Sequence, residues 1–232
     1  MSVYLVMEYL PGGNLLSYVH ESPDPWPEQT CRFYGAEILL ALEHLHAHNV
    51  VYRDLKLENL LMDMDGHVRL SDFGLSARLR SDSDRVHSLS GTAGYLAPEI
   101  LRNNGEGHGK SVDVWAFGVM MFILLLHESP FYSENLGELF QMILHEPIMW
   151  HWYHNELSTE GLDLLRGLLI KDPRCRLGCG PQGLQEIREH PFFMSVQWDD
   201  LLSMKAPGPI RPLLRVRTFL LPIVPVNRLP DS

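Results

Sequence analysis

Cysteine is scarce in this chain: Cys31, Cys175 and Cys179 are the only three in 232 residues. An odd, sparse set builds no disulfide framework and fits a reducing compartment. Cys175 and Cys179 stand four apart with no second ligand pair nearby, so a zinc site is not expected. Positive charge is short as well, with 19 Lys and Arg against 29 Asp and Glu and a formal net charge of −10. That balance argues against a general binder of nucleic acid or of anionic membranes. It suits basic peptide partners, although acidity also serves solubility alone. Long apolar runs are missing too. The longest, Val114 to Leu126, has thirteen residues, too few to span a bilayer, and reads as a buried core helix. The opening MSVYLVMEYL has neither a basic n-region nor a small-residue cleavage site, so it does not read as a signal peptide. These absences point to the cytoplasm, with the nucleus also open to the protein. No internal repeat is visible. What remains is ordinary globular composition, 45 % hydrophobic and 21 % charged, enough to bury a core.

Along the chain, Val3 to Tyr9 is apolar and β-prone and is ended by Pro11-Gly12-Gly13, which predicts a strand and a connector. Thr30 to His48 carries Tyr34, Ile38, Leu42 and Leu45 on one face of an amphipathic helix. Leu60 to Met62, the turn pair Asp65-Gly66 and Val68 to Leu70 predict a short β-hairpin. Residues 71 to 98 are polar and rich in Ser, Gly and Asp, so they predict a long loop, and a loop of that length in a compact domain is usually functional. Val112 to Leu126 is apolar on nearly all sides and predicts a central helix. Leu136 to Leu144 and Thr159 to Leu169 predict further amphipathic helices, and His190-Pro191-Phe192-Phe193 a stop. From Lys205 on, five basic residues and six prolines stand against one acid, Asp231, which predicts an extended tail.

The informative stretch is Tyr52-Arg53-Asp54-Leu55-Lys56-Leu57-Glu58-Asn59. Thirteen residues after Asn59 comes Asp72-Phe73-Gly74, nineteen after Asp72 comes Gly91-Thr92, and Ala97-Pro98-Glu99 follows. Asp113-Val114-Trp115-Ala116-Phe117-Gly118 and Asp172-Pro173-Arg174-Cys175-Arg176-Leu177 complete the series. Any one of these carboxylates alone reads as a cap or a surface group. The ordered set resembles the protein-kinase signature over about residues 3 to 200. The resemblance implies an α+β, mainly α fold: a kinase-like C-terminal helical lobe with a short β-hairpin and a hinge strand. It also implies ATP-dependent phosphoryl transfer to protein Ser/Thr hydroxyls, with ATP and Mg²⁺ as cofactors.

Phosphoryl transfer spreads negative charge over the γ-phosphate oxygens, so the site must supply cations and alignment. On the family pattern Asp54 orients the substrate hydroxyl and accepts its proton, and Lys56 steadies the γ-phosphate. Asn59 and Asp72 hold magnesium, a hard cation that prefers oxygen. Lys at position 56 is similar to serine/threonine kinases and unlike tyrosine kinases. Met7 would stand beside adenine, Glu8 and Leu10 would offer it backbone groups, and Leu61 would form its floor; plain packing is the alternative for all four. Ser88, four residues before Thr92, matches the activation-loop phosphosite, where a phosphate added by an upstream kinase would pair with Arg53; the alternative is an idle loop serine. Ala77 stands where many relatives place a second cation, with Arg78 adjacent. Glu99 and Arg176 resemble a structural ion pair.

Tyr52, the Lys56 to Asn59 run, Gly91 to Glu99, and His190 to Phe193 with Trp198 resemble the AGC group, nearest its ribosomal S6 kinase-related members. Gly94 replaces a usual acid before Tyr95, and Asn14 replaces an acid that in many relatives receives a substrate arginine. Glu58 remains as an acceptor for basic residues near the phosphoacceptor. The expected preference for arginine three residues before that site is therefore weakened.

No Gly-x-Gly-x-x-Gly loop precedes Val3, and there is no Val-Ala-Ile-Lys strand or helix glutamate to pair with it. Those parts cover and clamp the ATP phosphates. Gly178 to Gly183 lies far downstream and is no substitute, and the tail lacks the Phe-x-x-Phe end motif of AGC relatives. The expected layout is a hinge strand and connector at 1–13, a C-lobe at 14–204 with catalytic loop 52–59 and activation segment 72–99, and a Pro/Arg-rich tail at 205–232. Two readings follow: part of a longer kinase, inactive alone, or a kinase-like scaffold that binds partners without catalysis.

Overall fold

The computed structural model describes residues 7–81, 84–102, 104–205 and 207–212. Its elements are α1 (Leu15–Glu21), α2 (Glu28–Ala47), β1 (Val50–Val51), β2 (Leu60–Met62), β3 (Val68–Leu70), β4 (Ala77–Arg78), α3 (Pro98–Arg102), α4 (Ser111–Leu126), α5 (Leu136–His145), α6 (Thr159–Leu168), α7 (Gln185–Arg188) and α8 (Trp198–Leu202). Helix dominates, and the strands form two small antiparallel pairs, β2 with β3 and β1 with β4.

Helix α4 is the centre because its sequence leaves it no face for water. Fourteen of its residues are buried, and α2 and α6 pack on it. Gly118 lets α6 come close: a Cβ there would lie 2.9 Å from Leu168 Cβ. The helix ends on His127 in the left-handed region (φ 55°), whose N–H closes the last turn onto Ile123 O at 2.8 Å. Around it, α2 buries the same face that its periodicity marks, including Tyr34, Ile38 and Leu42. Helices α5 and α6 begin at Asn135 and Ser158, whose side chains accept backbone N–H bonds from the first turn.

The predicted hairpin is present, with Leu60 opposite Leu70 and Met62 opposite Val68. Gly66 turns it with φ 86°. The predicted loop 71–98 is largely loop, but it contains β4 and a 3₁₀ turn at Ala93–Tyr95. Of the strand predicted for Val3 to Tyr9, residues 3–6 lie outside the described residues, and the described part, Met7 to Tyr9, is corrected: it forms no strand. No described neighbour bonds to their backbone, and without a partner β-prone residues have no ladder to join. Sheet-like pairing starts later, where Gly12 N–H donates to Met62 O at 3.0 Å and Met62 N–H to Gly13 O at 2.8 Å.

The short helices α1, α3, α7 and α8 escaped the sequence reading because one or two turns hold too few positions to show a period. The beginning of the predicted tail is docked on the hairpin turn and on α2. Gly208 N–H donates to Asp65 O at 2.8 Å and Ile210 N–H to Tyr34 OH at 3.3 Å. The rest of the tail, 213–232, lies outside the described residues. No helix among the described residues is long and apolar enough to cross a membrane.

Candidate active site

Asp113, fully buried in the first turn of α4, organises the site from below. Its carboxylate accepts from Tyr52 N–H (2.9 Å) and Arg53 N–H (2.7 Å) and meets His46 Nε2 at 2.8 Å. These bonds hold Arg53 in the left-handed region (φ 68°), a costly conformation for a non-glycine residue that persists only where its surroundings fix it. The sharp turn delivers Asp54 next.

Asp54 is 7 % exposed, and both its carboxylate oxygens are engaged. Thr92 Oγ1 donates to Oδ1 at 2.8 Å, and Asn59 Nδ2 donates to Oδ2 at 3.0 Å. Lys56 Nζ lies 2.9 Å from Oδ2 and donates to Thr92 Oγ1 at 2.8 Å. Asn59 Nδ2 also reaches Asp54 O at 2.9 Å. Four side chains from two separate segments thus form one closed network around one carboxylate. Its charge is held in a fixed direction by groups that need not move to receive a ligand.

Asp72 stands beside this network and outside it. Ser71 N–H and Oγ both donate to Asn59 O, at 2.9 and 2.8 Å, and Tyr52 OH donates to Ser71 O. The anchor carries Asp72 to the neighbouring edge. There it is exposed at φ 55°, with Oδ1 accepting from Gly74 N–H at 3.1 Å. Burial raises the Tyr52 hydroxyl well above its ordinary range, and the nearby Asp54, Asp72 and Asp113 charges add to the rise. An amide oxygen on Asn59 and a carboxylate on Asp72 are the hard oxygen donors that magnesium takes, few in number because phosphate and water complete its shell.

The adenine-site candidates are less organised. Met7 is 67 % exposed and Glu8 is exposed, whereas Leu10 and Leu61 are half-buried and Leu61 bridges to Asn14. A cavity of about 760 Å³, lined among others by Glu99, His108, Lys110 and Arg174, includes none of Asp54, Lys56, Asn59 or Asp72.

Residues 1–193 match the family model described as the protein kinase domain. This chain belongs to the protein kinase family. It is 45 % identical over 208 residues to the RAC-beta serine/threonine-protein kinase of Homo sapiens, covering 89 % of this chain and 42 % of that protein. RAC-beta serine/threonine-protein kinase A of Xenopus laevis is 46 % identical over 208 residues, with 89 % and 41 % covered. Ribosomal protein S6 kinase alpha-4 of Homo sapiens is 43 % identical over 219 residues, with 92 % and 28 % covered. The chain therefore spans between about a quarter and two fifths of the length of these relatives.

Two further contacts hold the stretch from Asp72 to Glu99. Arg53 Nη1 donates to Ser88 Oγ at 2.7 Å, and its Nε donates to Leu75 O at 2.7 Å. Arg176, its side chain wholly buried, grips Glu99 with two bonds of 2.7 and 2.9 Å and also donates to Ser111 O and Ile170 O. Burial pushes the Glu99 carboxyl up, but hydrogen bonds and charge from Arg176 outweigh it and hold the carboxyl below its ordinary 4.5. Glu58 is exposed beside Tyr95, whose hydroxyl is raised by burial first and by Glu58 second.

The sequence reading gave Asp113 a place in a motif and no task. It gave Thr92 a place in the activation segment, with no hint of its bond to Asp54. It did not single out His46. Only long-range contacts between segments about 40 to 70 residues apart reveal these roles.

Proposed function

We propose that this chain carries the phosphoryl-transfer half of an ATP-dependent serine/threonine protein kinase. The observation that carries the reading is the closed network of Asp54, Lys56, Asn59 and Thr92. Asp54 would receive the substrate hydroxyl and accept its proton on the carboxylate that Thr92 and Asn59 already hold in place. Lys56, hydrogen-bonded at the same carboxylate and to Thr92 Oγ1, would turn its one remaining N–H donor to the γ-phosphoryl oxygens. Asn59 and Asp72 would hold Mg²⁺, and the ion when bound would neutralise charge on the ATP phosphates. Glu58 would receive a basic residue of the protein substrate. Asn14 would not, because its side chain caps α1 by accepting from Ser17 N–H at 3.0 Å and it carries no charge. Ser88 would be the site of activation by an upstream kinase.

The 232 residues alone supply no glycine-rich loop and no strand lysine for the ATP phosphates. We infer that they bind ATP weakly and do not turn it over at a kinase rate by themselves. The exposed Met7 and Glu8 support that inference and keep a second reading open, a kinase-like scaffold that engages partners without catalysis. A thermal-shift titration with Mg-ATP, run with a peptide phosphorylation assay, separates the cases. The 232-residue polypeptide is compared with a form extended N-terminally to include both missing parts. The kinase reading expects shift and turnover in the extended form only. An extended form that binds partners yet never phosphorylates would leave the scaffold, and turnover by the short form would sink the inference of inactivity.

A further inference from the structure

Twelve histidines are spread along the sequence, and the end of α2 brings two of them together. His44 stands in its last turn and His48 caps it four residues on, the spacing that sets two side chains side by side on one helix face. His46, between them, turns inward: it is buried against Asp113. His44 and His48 are exposed, with ring centres 4.5 Å apart and ring planes at 40°. His48 Nδ1 lies 2.8 Å from His44 O. A carbonyl can only accept, so Nδ1 carries the proton and Nε2 of the neutral ring is left with the lone pair. Metal-binding histidines are fixed in the same way, one ring N–H tied to a carbonyl or carboxylate and the other nitrogen on the ion. The ring spacing fits as well. A metal–nitrogen bond of about 2.0–2.1 Å sets a ring centre about 3.2 Å from the ion, so two imidazoles in adjacent positions about 90° apart have centres about 4.5 Å apart. The place favours a cation too, because the C-terminus of the 20-residue α2 is the negative end of its dipole.

We propose that His44 and His48 form a two-histidine chelate for a divalent late transition-metal ion of the class of Ni²⁺, Cu²⁺ and Zn²⁺. Imidazole is the ligand these ions share, whereas Mg²⁺ takes oxygen, so the pair is chemically separate from Asn59 and Asp72. Among the described residues no third His, Cys, Asp or Glu completes a cluster. Water fills the other positions, and the ion exchanges, unlike one closed in by four protein ligands. The chelate ties residue 44 to residue 48. Asn49 follows at φ 57°, with its O accepting from Leu79 N–H at 2.8 Å and its Oδ1 from Lys110 Nζ at 3.0 Å. From there β1 runs on towards Tyr52 and Arg53. A bound ion therefore fixes the helix end from which the turn at 52–59 sets out.

The 232-residue chain, stripped of metal with EDTA, is titrated by calorimetry with Ni²⁺, Zn²⁺ and Mg²⁺. His44→Gln and His48→Gln are measured beside it, with His151→Gln as a control at another exposed histidine. The proposal expects each of the first two variants to weaken Ni²⁺ binding about tenfold or more, since the second nitrogen of a chelate binds at high effective concentration. The double variant should lose little beyond either single one, His151→Gln should bind as wild type, and Mg²⁺ should give no heat. Nitrogen-15 NMR of the wild-type imidazoles needs no substitution: Zn²⁺ should move the His44 and His48 ring signals together, with one midpoint, ahead of the other histidines. Separate midpoints for the two rings, or equal losses in all three single variants, would overturn the proposal and leave only scattered single-histidine contacts. Should a variant not fold, the wild-type NMR titration decides alone.

Discussion

The turn at residues 52–59 and the stretch at residues 7–10 both hold candidate site residues, yet one is locked and the other lies open. Asp54 is 7 % exposed and bonded by Thr92, Asn59 and Lys56, whereas Met7 is 67 % exposed and Tyr9 80 %. The difference lies in where each region finds its partners. Those of the turn at 52–59, Asp113 and Thr92, stand on α4 and on the loop before α3. Met7 to Leu10 find no strand beside them among the described residues. A motif therefore becomes a site only where the groups it needs lie within the folded unit.

Several substitutions break or sharpen this contrast, from the largest effect down. In the N-terminally extended form, Asp54→Asn should lower the phosphorylation rate by about 10²–10⁴-fold, read as kcat on a peptide, while the melting temperature stays close to wild type. A rate within a few-fold of wild type would remove Asp54 from the proton transfer. Arg176→Ala should cost about 3–5 kcal/mol in urea unfolding, because it leaves the Glu99 carboxylate half-buried without its partner. Gly118→Ala should cost about 1–3 kcal/mol, since the new methyl meets Leu168 at 2.9 Å across the α4–α6 contact. Met7→Ala should change stability by less than about 0.5 kcal/mol, the mark of an open edge. A loss of several kcal/mol there would show that the hinge is packed after all.

The Glu99–Arg176 pair also sets a pH dependence. Its carboxyl titrates lower in the folded state than in the unfolded chain. The stabilisation is thus fully present above the ordinary carboxyl value of 4.5 and is lost as pH falls through the lowered folded value. Urea midpoints measured from pH 7 down to pH 3 should fall more steeply for the wild type than for Glu99→Gln. Parallel curves would mean that the pair contributes no pH-dependent stability.

Much of the fold could be read from the sequence, because long helices announce themselves. The period of α2, the all-apolar α4 and the Asp65-Gly66 turn each carry their own local signal. The strand predicted for Val3 to Tyr9 failed in its described part for the opposite reason, since a strand needs a partner that its own residues do not encode. The same division runs through the site. Asp54, Lys56, Asn59 and Asp72 could be found by spacing along the chain. Asp113 under the turn at 52–59 and Thr92 across it depend on segments brought together by folding, and a one-dimensional pattern holds no record of them.

The most direct test is a crystal structure of the extended form bound to magnesium and a non-hydrolysable ATP analogue. The account predicts metal–oxygen distances of about 2.0–2.1 Å to Asn59 and Asp72, with Lys56 Nζ on the γ-phosphate and Asp54 facing the place of the incoming hydroxyl. A metal bound by other side chains, with Asp54 and Lys56 turned away from the phosphate, would contradict it.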